Sequence, residues 1–269
     1  MKAQLILENG KRFTGTMFGA CKDIAGEVVF STGMGGYQEA LTDPSAAGQI
    51  VTMTFPLIGN YGINLEDMEA DRVHLSAIVV REKCDYPSNF RNEMTLDDFL
   101  KQQDVTGIEG IDTRALTRLL RTNGSMKGVI VAGEISDDEA KAMIAKLDNS
   151  DVVMRTTTKE PYVLNRKGSK NVAFIDLGTK DGILRQLEKR DCRLSVFPAD
   201  TSAEEILAIN PDMVFVSNGP GAPENILPTV ENVKKLIGKA PLCGICLGNL
   251  VIGMALGAMV EKDEVWSSR

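Results

Sequence analysis

No apolar run in these 269 residues approaches the ~20 that a membrane-spanning helix needs. The start, Met1-Lys2-Ala3-Gln4-Leu5, passes straight into an alternating strand pattern without a signal-peptide core. A soluble, cytoplasmic protein with no membrane partner is the expectation. Basic residues never gather into a run or stripe, and 30 Lys and Arg stand against 37 Asp and Glu, a formal charge of −7. Nucleic acid is therefore not an expected partner. The five cysteines (Cys21, Cys84, Cys192, Cys243, Cys246) form an odd set without a disulfide-like framework, which suits a reducing compartment where a thiol stays reactive. There is one histidine, His74, between Asp71-Arg72 and an apolar strand pattern from Leu75 to Val80. It reads as a structural strand-edge residue. No internal repeat is present.

What is there suits two cores, given the length, 43% hydrophobic and 25% charged residues. Residues 1 to 150 read as an α+β unit, with short strands such as Gly26–Phe30 and Gln49–Thr54 in glycine-rich connections, then a helical group. Asp112 is placed to cap a helix over 113–122 with Gly124 past its end, and Ser136-Asp137-Asp138-Glu139 is a capping box opening a helix over 140–147. Residues 151–170, with three consecutive threonines, Pro161 and Gly168, are polar and aperiodic and read as a linker. From 171 the rhythm changes. Strand-then-helix pairs are expected at 172–177 and 181–189, 193–197 and 202–209, 213–216 and 225–237, and 242–245 and 247–259. Four such units predict an α/β fold with a parallel sheet, whose chemistry collects at the carboxyl ends of its strands.

Two motifs fall at such ends. Gly244-Ile245-Cys246-Leu247-Gly248 is a cysteine form of the nucleophile elbow, a tight strand-to-helix turn that exposes Cys246 where helix N–H groups favour anions. The N–H of Leu247 is then placed to help hold an oxyanion. Alternatively, its glycines are ordinary turn residues. Ser217-Asn218-Gly219-Pro220-Gly221-Ala222-Pro223 closes the preceding strand, and its glycines let a ligand approach the main chain, or form a plain Gly-Pro loop. Cys243-Gly244-Ile245-Cys246 also has redox or half-zinc-site spacing, but Cys243 falls inside the predicted strand and no second pair completes a zinc site.

Together the two motifs resemble the class I, or triad, glutamine amidotransferases. Gly35-Gly36-Tyr37-Gln38-Glu39, Leu41-Thr42-Asp43-Pro44-Ser45, Tyr86-Pro87-Ser88-Asn89-Phe90 and the run from Gly110 to Arg118 are similar to stretches of carbamoyl phosphate synthetase small subunits. The resemblance is traced from residue 1 to about 258. It implies an N-terminal small-subunit domain (1–150), a linker (151–170) and an incomplete amidotransferase domain (171–269). It also implies that Cys246 attacks the side-chain amide of glutamine and that ammonia passes to a large synthetase subunit, which makes carbamoyl phosphate from bicarbonate and ATP for arginine and pyrimidine synthesis. Ser45, Gly219, Gly221 and Leu247 are implied to contact glutamine or its oxyanion. For Ser45 the alternative is a turn-capping serine. No cofactor or metal site is expected in this chain, with ATP and its metal ions on the large subunit.

The sequence also departs from that family. Class I members supply a base histidine and an orienting glutamate on later strands, whereas residues 259–269 are expected to share nothing with the pattern, as in a truncated chain. Leu250 stands where the family usually has a glutamine that binds substrate. A truncated sheet is expected to leave Val251, Ile252, Met254 and Leu256 uncovered. The competing expectation is a subunit that binds the large subunit without hydrolysing glutamine.

Overall fold

The computed structural model describes residues 1–261; residues 262–269, which hold most of the tail expected to depart from the family pattern, lie outside the described residues. The chain divides into two compact units, Met1–Asp148 and a second beginning at Asn149.

The first unit contains β1 (Lys2–Leu7), β2 (Arg12–Gly19), β3 (Ile24–Ser31), β4 (Gln49–Met53), β5 (Leu57–Ile58), β6 (Ala77–Val79), β7 (Glu82–Lys83), β8 (Thr106–Glu109) and β9 (Met126–Ala132). Its helices are α1 (Tyr37–Thr42), α2 (Leu96–Gln102), α3 (Thr113–Asn123) and α4 (Asp137–Ala145). Seven strands close into a barrel in the order β1-β2-β8-β6-β4-β3-β9, with β9 returning to β1, and β5 pairs with β7 apart from it. The period of two is visible in β1. Ala3, Leu5 and Leu7 share a core with Leu116 and Leu120 of α3, while Ile6 packs with Ala140 and Ile144 of α4. The expectation of strands followed by a helical group is corrected, because helices alternate with strands. β3, β4, β6 and β8 are parallel neighbours, and parallel pairing requires crossover connections, here including α1 and α2. The caps stand where the side chains place them. Asp112 accepts from the N–H of Ala115 at 2.9 Å, and Ser136 with Glu139 completes its capping box at the start of α4.

The second unit contains α5 (Val152–Thr156), β10 (Tyr162–Leu164), β11 (Lys170–Asp176), α6 (Asp181–Glu188), β12 (Cys192–Pro198), α7 (Ala203–Ala208), β13 (Met213–Val216), α8 (Leu227–Leu236), β14 (Leu242–Gly244) and α9 (Leu247–Ala255). The sheet order is β10-β12-β11-β13-β14, parallel except at β10. The chain steps from β11 outward to β12, then back across β11 to β13. Right-handed crossovers then send α6 to one face and the later helices to the other. The cores agree. Val172 and Phe174 pack with Leu184 of α6, whereas Ala173 and Ile175 face Ile206 of α7, Val233 of α8 and Val251 of α9.

Two expectations are corrected here. Residues 151–170 are not a bare linker, since they hold α5 and β10, and β10 pairs antiparallel with β12 from Tyr162 opposite Val196 to Leu164 opposite Leu194. A five-residue helix and a three-residue strand are too short to show a period. Val251 is fully buried, and Ile252 and Met254 are partly buried against the same core; of the four residues expected to be uncovered, only Leu256 is open, at 66% exposed.

Candidate active site

The β14–α9 turn has the geometry expected of an elbow. Cys246 is exposed, caps α9, and has φ 53° and ψ −117°, a combination that side chains rarely adopt and that costs about 1–3 kcal/mol. The neighbouring glycines explain how it is held. A Cβ on Gly244 would stand 2.7 Å from the Gly248 carbonyl, and one on Gly248 would land on the Val216 carbonyl and 2.6 Å from that of Ser217. The turn therefore lies directly on the end of β13.

Hydrogen bonds complete the arrangement. In the first turn of α9, Gly248 N–H donates to Ser217 and Ile245 carbonyls at 3.0 and 2.9 Å, and the N–H groups of Asn249 and Leu250 donate to the Cys246 carbonyl at 3.0 and 3.2 Å. The Leu247 N–H has no acceptor among the described residues. A donor left unpaired beside an exposed thiol is available to a ligand oxygen.

The 217–221 loop is built differently. Ser217, Asn218 and Gly219 are buried. Ser217 Oγ accepts from Leu177 N–H at 2.8 Å and donates to the Asn218 carbonyl at 2.6 Å. Asn218 donates through Nδ2 to the Gly178 carbonyl at 3.1 Å and accepts at Oδ1 from Lys180 N–H at 3.2 Å. The N–H groups of Gly219 and Gly221 have no acceptor among the described residues. The elbow and this loop thus meet through the Gly248–Ser217 bond.

Ser45 belongs to the first unit, half-buried in a 3-10 turn over Pro44–Ala46. The cap there is Asp43, whose carboxylate accepts from Ser45 N–H at 2.9 Å. His74 is also in the first unit and is half-buried. Burial, then Arg72, pull its pKa below the usual imidazole value, opposed by Asp71 and Asp43. Cys243 lies within β14 and is exposed. Among the described residues no group of His, Cys, Asp and Glu is arranged to hold a metal ion, and no helix is long and apolar enough to cross a membrane.

One acid was missed by the sequence reasoning. Asp176 ends β11 and is buried, its Oδ1 accepting from the N–H groups of Gly178 and Thr179 at 2.9 and 2.8 Å and its Oδ2 from Thr158 at 2.7 Å. Burial pushes its pKa up against these three bonds. The available signal was position, an acid at a carboxyl strand end beside the point where the strand order reverses.

Comparison with known proteins covers both units. Residues 5–130 match the family model described as carbamoyl-phosphate synthase small chain, CPSase domain, and residues 173–267 match glutamine amidotransferase class-I. Residues 259–267, expected from the motifs to depart from the pattern, lie within the second match. The carbamoyl phosphate synthase small chain of Clostridium perfringens is 53% identical over 262 residues, 97% of this chain and 75% of the relative. That of Bacillus caldolyticus is 49% identical over 263 residues, 97% and 72% of the two chains. The pyrimidine-specific small chain of Halalkalibacterium halodurans is 48% identical over the same shares.

Proposed function

Because the chain belongs to the carbamoyl phosphate synthase small-chain family, we propose that it is the glutamine-hydrolysing component of that enzyme, with Cys246 as nucleophile. The Cys246 sulfur attacks the side-chain amide carbon of glutamine, forming a C–S bond as the carbonyl electrons move to oxygen. The N–H groups of Leu247 and Gly219 hold that oxyanion, and Gly221 contacts the substrate. Collapse breaks the C–N bond, the nitrogen takes a proton and leaves as ammonia, and water cleaves the glutamyl thioester to glutamate and free thiol. A large synthetase subunit then joins the ammonia to bicarbonate at the expense of ATP, with ATP and its metal ions bound there, to supply arginine and pyrimidine synthesis in the cytoplasm. The observation that carries this reading is the exposed, positive-φ cysteine with an unpaired N–H one residue on, seated against a glycine loop.

A second reading is a subunit that docks without hydrolysing glutamine. The sequence has one histidine, and His74 sits half-buried in the first unit with its charged form disfavoured. The deciding measurement is glutamine-dependent ammonia release by the chain with its large subunit, beside Cys246→Ala. The first reading expects release that the substitution abolishes. No release in either protein, with synthesis from free ammonia intact, establishes the second.

A further inference from the structure

We propose that Asp176 is a positioning residue for glutamine capture: its buried carboxylate clamps the turn after β11, and that turn sets the height of the glycine loop above the sheet. The inference rests on the glutamine reading of Cys246 given above.

Contacts connect Asp176 to the elbow in three steps. The carboxylate gathers the Gly178 and Thr179 N–H groups on one oxygen and that of Thr158 on the other. The turn it holds is laced to the glycine loop through Leu177 N–H to Ser217 Oγ, Asn218 Nδ2 to the Gly178 carbonyl, and Lys180 N–H to Asn218 Oδ1. Gly219 lies flat on this turn, since a Cβ there would fall on the Leu177 carbonyl oxygen and 2.9 Å from its carbon. The loop in turn receives Gly248 N–H from the elbow at 3.0 Å. Asp176 touches neither the nucleophile nor the proposed oxyanion donors, so its effect passes through the loop. A buried carboxylate is also costly unless its hydrogen bonds are met, so a neutral turn would have served if stability alone were at stake.

The same clamp recruits the segment before the sheet. Thr157 Oγ1 donates to the Asp176 carbonyl at 2.6 Å and accepts from Ala199 N–H at 3.0 Å, while a Cβ on Gly221 would stand 2.9 Å from Val152 Cγ2. Gly221 is thereby packed against α5, whose following residue Thr157 is tied to the clamp.

Asp176→Asn tests this in the full chain bound to its large subunit. It keeps the shape but sets an NH2 group against a backbone N–H. The probe is an α-chloroketone isostere of glutamine, from which the Cys246 sulfur displaces chloride as the C–S bond forms; iodoacetamide reports the bare thiol. We expect saturable labelling of wild-type Cys246. In Asp176→Asn the half-saturating chloroketone concentration should rise about 10-fold, the iodoacetamide rate staying within about 2-fold. Equal half-saturation in the two proteins, or parallel loss of both reactions, overturns the positioning role alone. Absence of saturable labelling in the wild type overturns the glutamine reading and this inference with it. If the variant does not fold, amide exchange in the wild type decides: slow exchange at Gly178 and Thr179, slower after labelling, supports the clamp, and free-loop exchange there overturns it.

Discussion

The loops that close β13 and β14 follow adjacent parallel strands and touch through one hydrogen bond, yet they are built on opposite principles. The elbow after β14 is open and strained, and two glycines hold it because they leave no room for side chains. The loop after β13 is buried from Ser217 to Pro220, and polar side chains with satisfied hydrogen bonds hold it. On the proposed reading Cys246 must be reached by substrate, so its strain is sustained by packing beneath it. On the same reading the loop offers backbone donors that must stay still, and hydrogen bonding fixes the atoms around them.

Removing each kind of support separates the two. Gly248→Ala should be the most damaging, because the new Cβ would overlap the carbonyl oxygen that ends β13 and backbone there has little freedom to retreat. We expect a loss of about 3 kcal/mol for the second unit, read as a lowered urea midpoint. Retention of wild-type stability would show that the two strand ends are not in such contact. Ser217→Ala acts on the other loop. It leaves the buried Leu177 N–H without its acceptor, for a cost of about 1–3 kcal/mol. Iodoacetamide reactivity of Cys246 should change little in that variant, since the hydroxyl bonds Leu177 and Asn218 and not the elbow. A Cys246 rate that falls with stability would merge the two loops into one unit.

The contrast also separates what the sequence disclosed from what it withheld. The elbow was legible because its signal is local: glycines two positions either side of a nucleophile, between an apolar strand and an apolar helix, constrain a single turn. The four strand–helix pairs of the second unit were legible for a related reason, as each buries one element against its sequence neighbour. Asp176 was not, because its partners Thr158, Gly178 and Thr179 include one from a segment whose helix and strand are too short to show a period. Barrel closure in the first unit was equally hidden. β1 pairs with β9 from Ala3 opposite Ala132 to Leu7 opposite Gly128, and nothing in an alternating pattern names a partner that far along the chain.

The smallest expected effect has the opposite sign and tests the strain itself. Cys246→Gly and Cys246→Ala both remove the thiol, but alanine keeps a Cβ at φ 53° and ψ −117° while glycine does not. If the elbow stores strain, the glycine variant should be the more stable of the two by about 1–2 kcal/mol, a difference visible in paired urea titrations. Glycine also loses more entropy on folding, by roughly 0.5–1 kcal/mol, which works against that result and makes it harder to obtain by accident. Equal midpoints would mean that strain and entropy cancel at this turn. A less stable glycine variant would mean that the conformation of Cys246 costs the fold almost nothing, and that its exposure was reached by the packing of Gly244 and Gly248 alone.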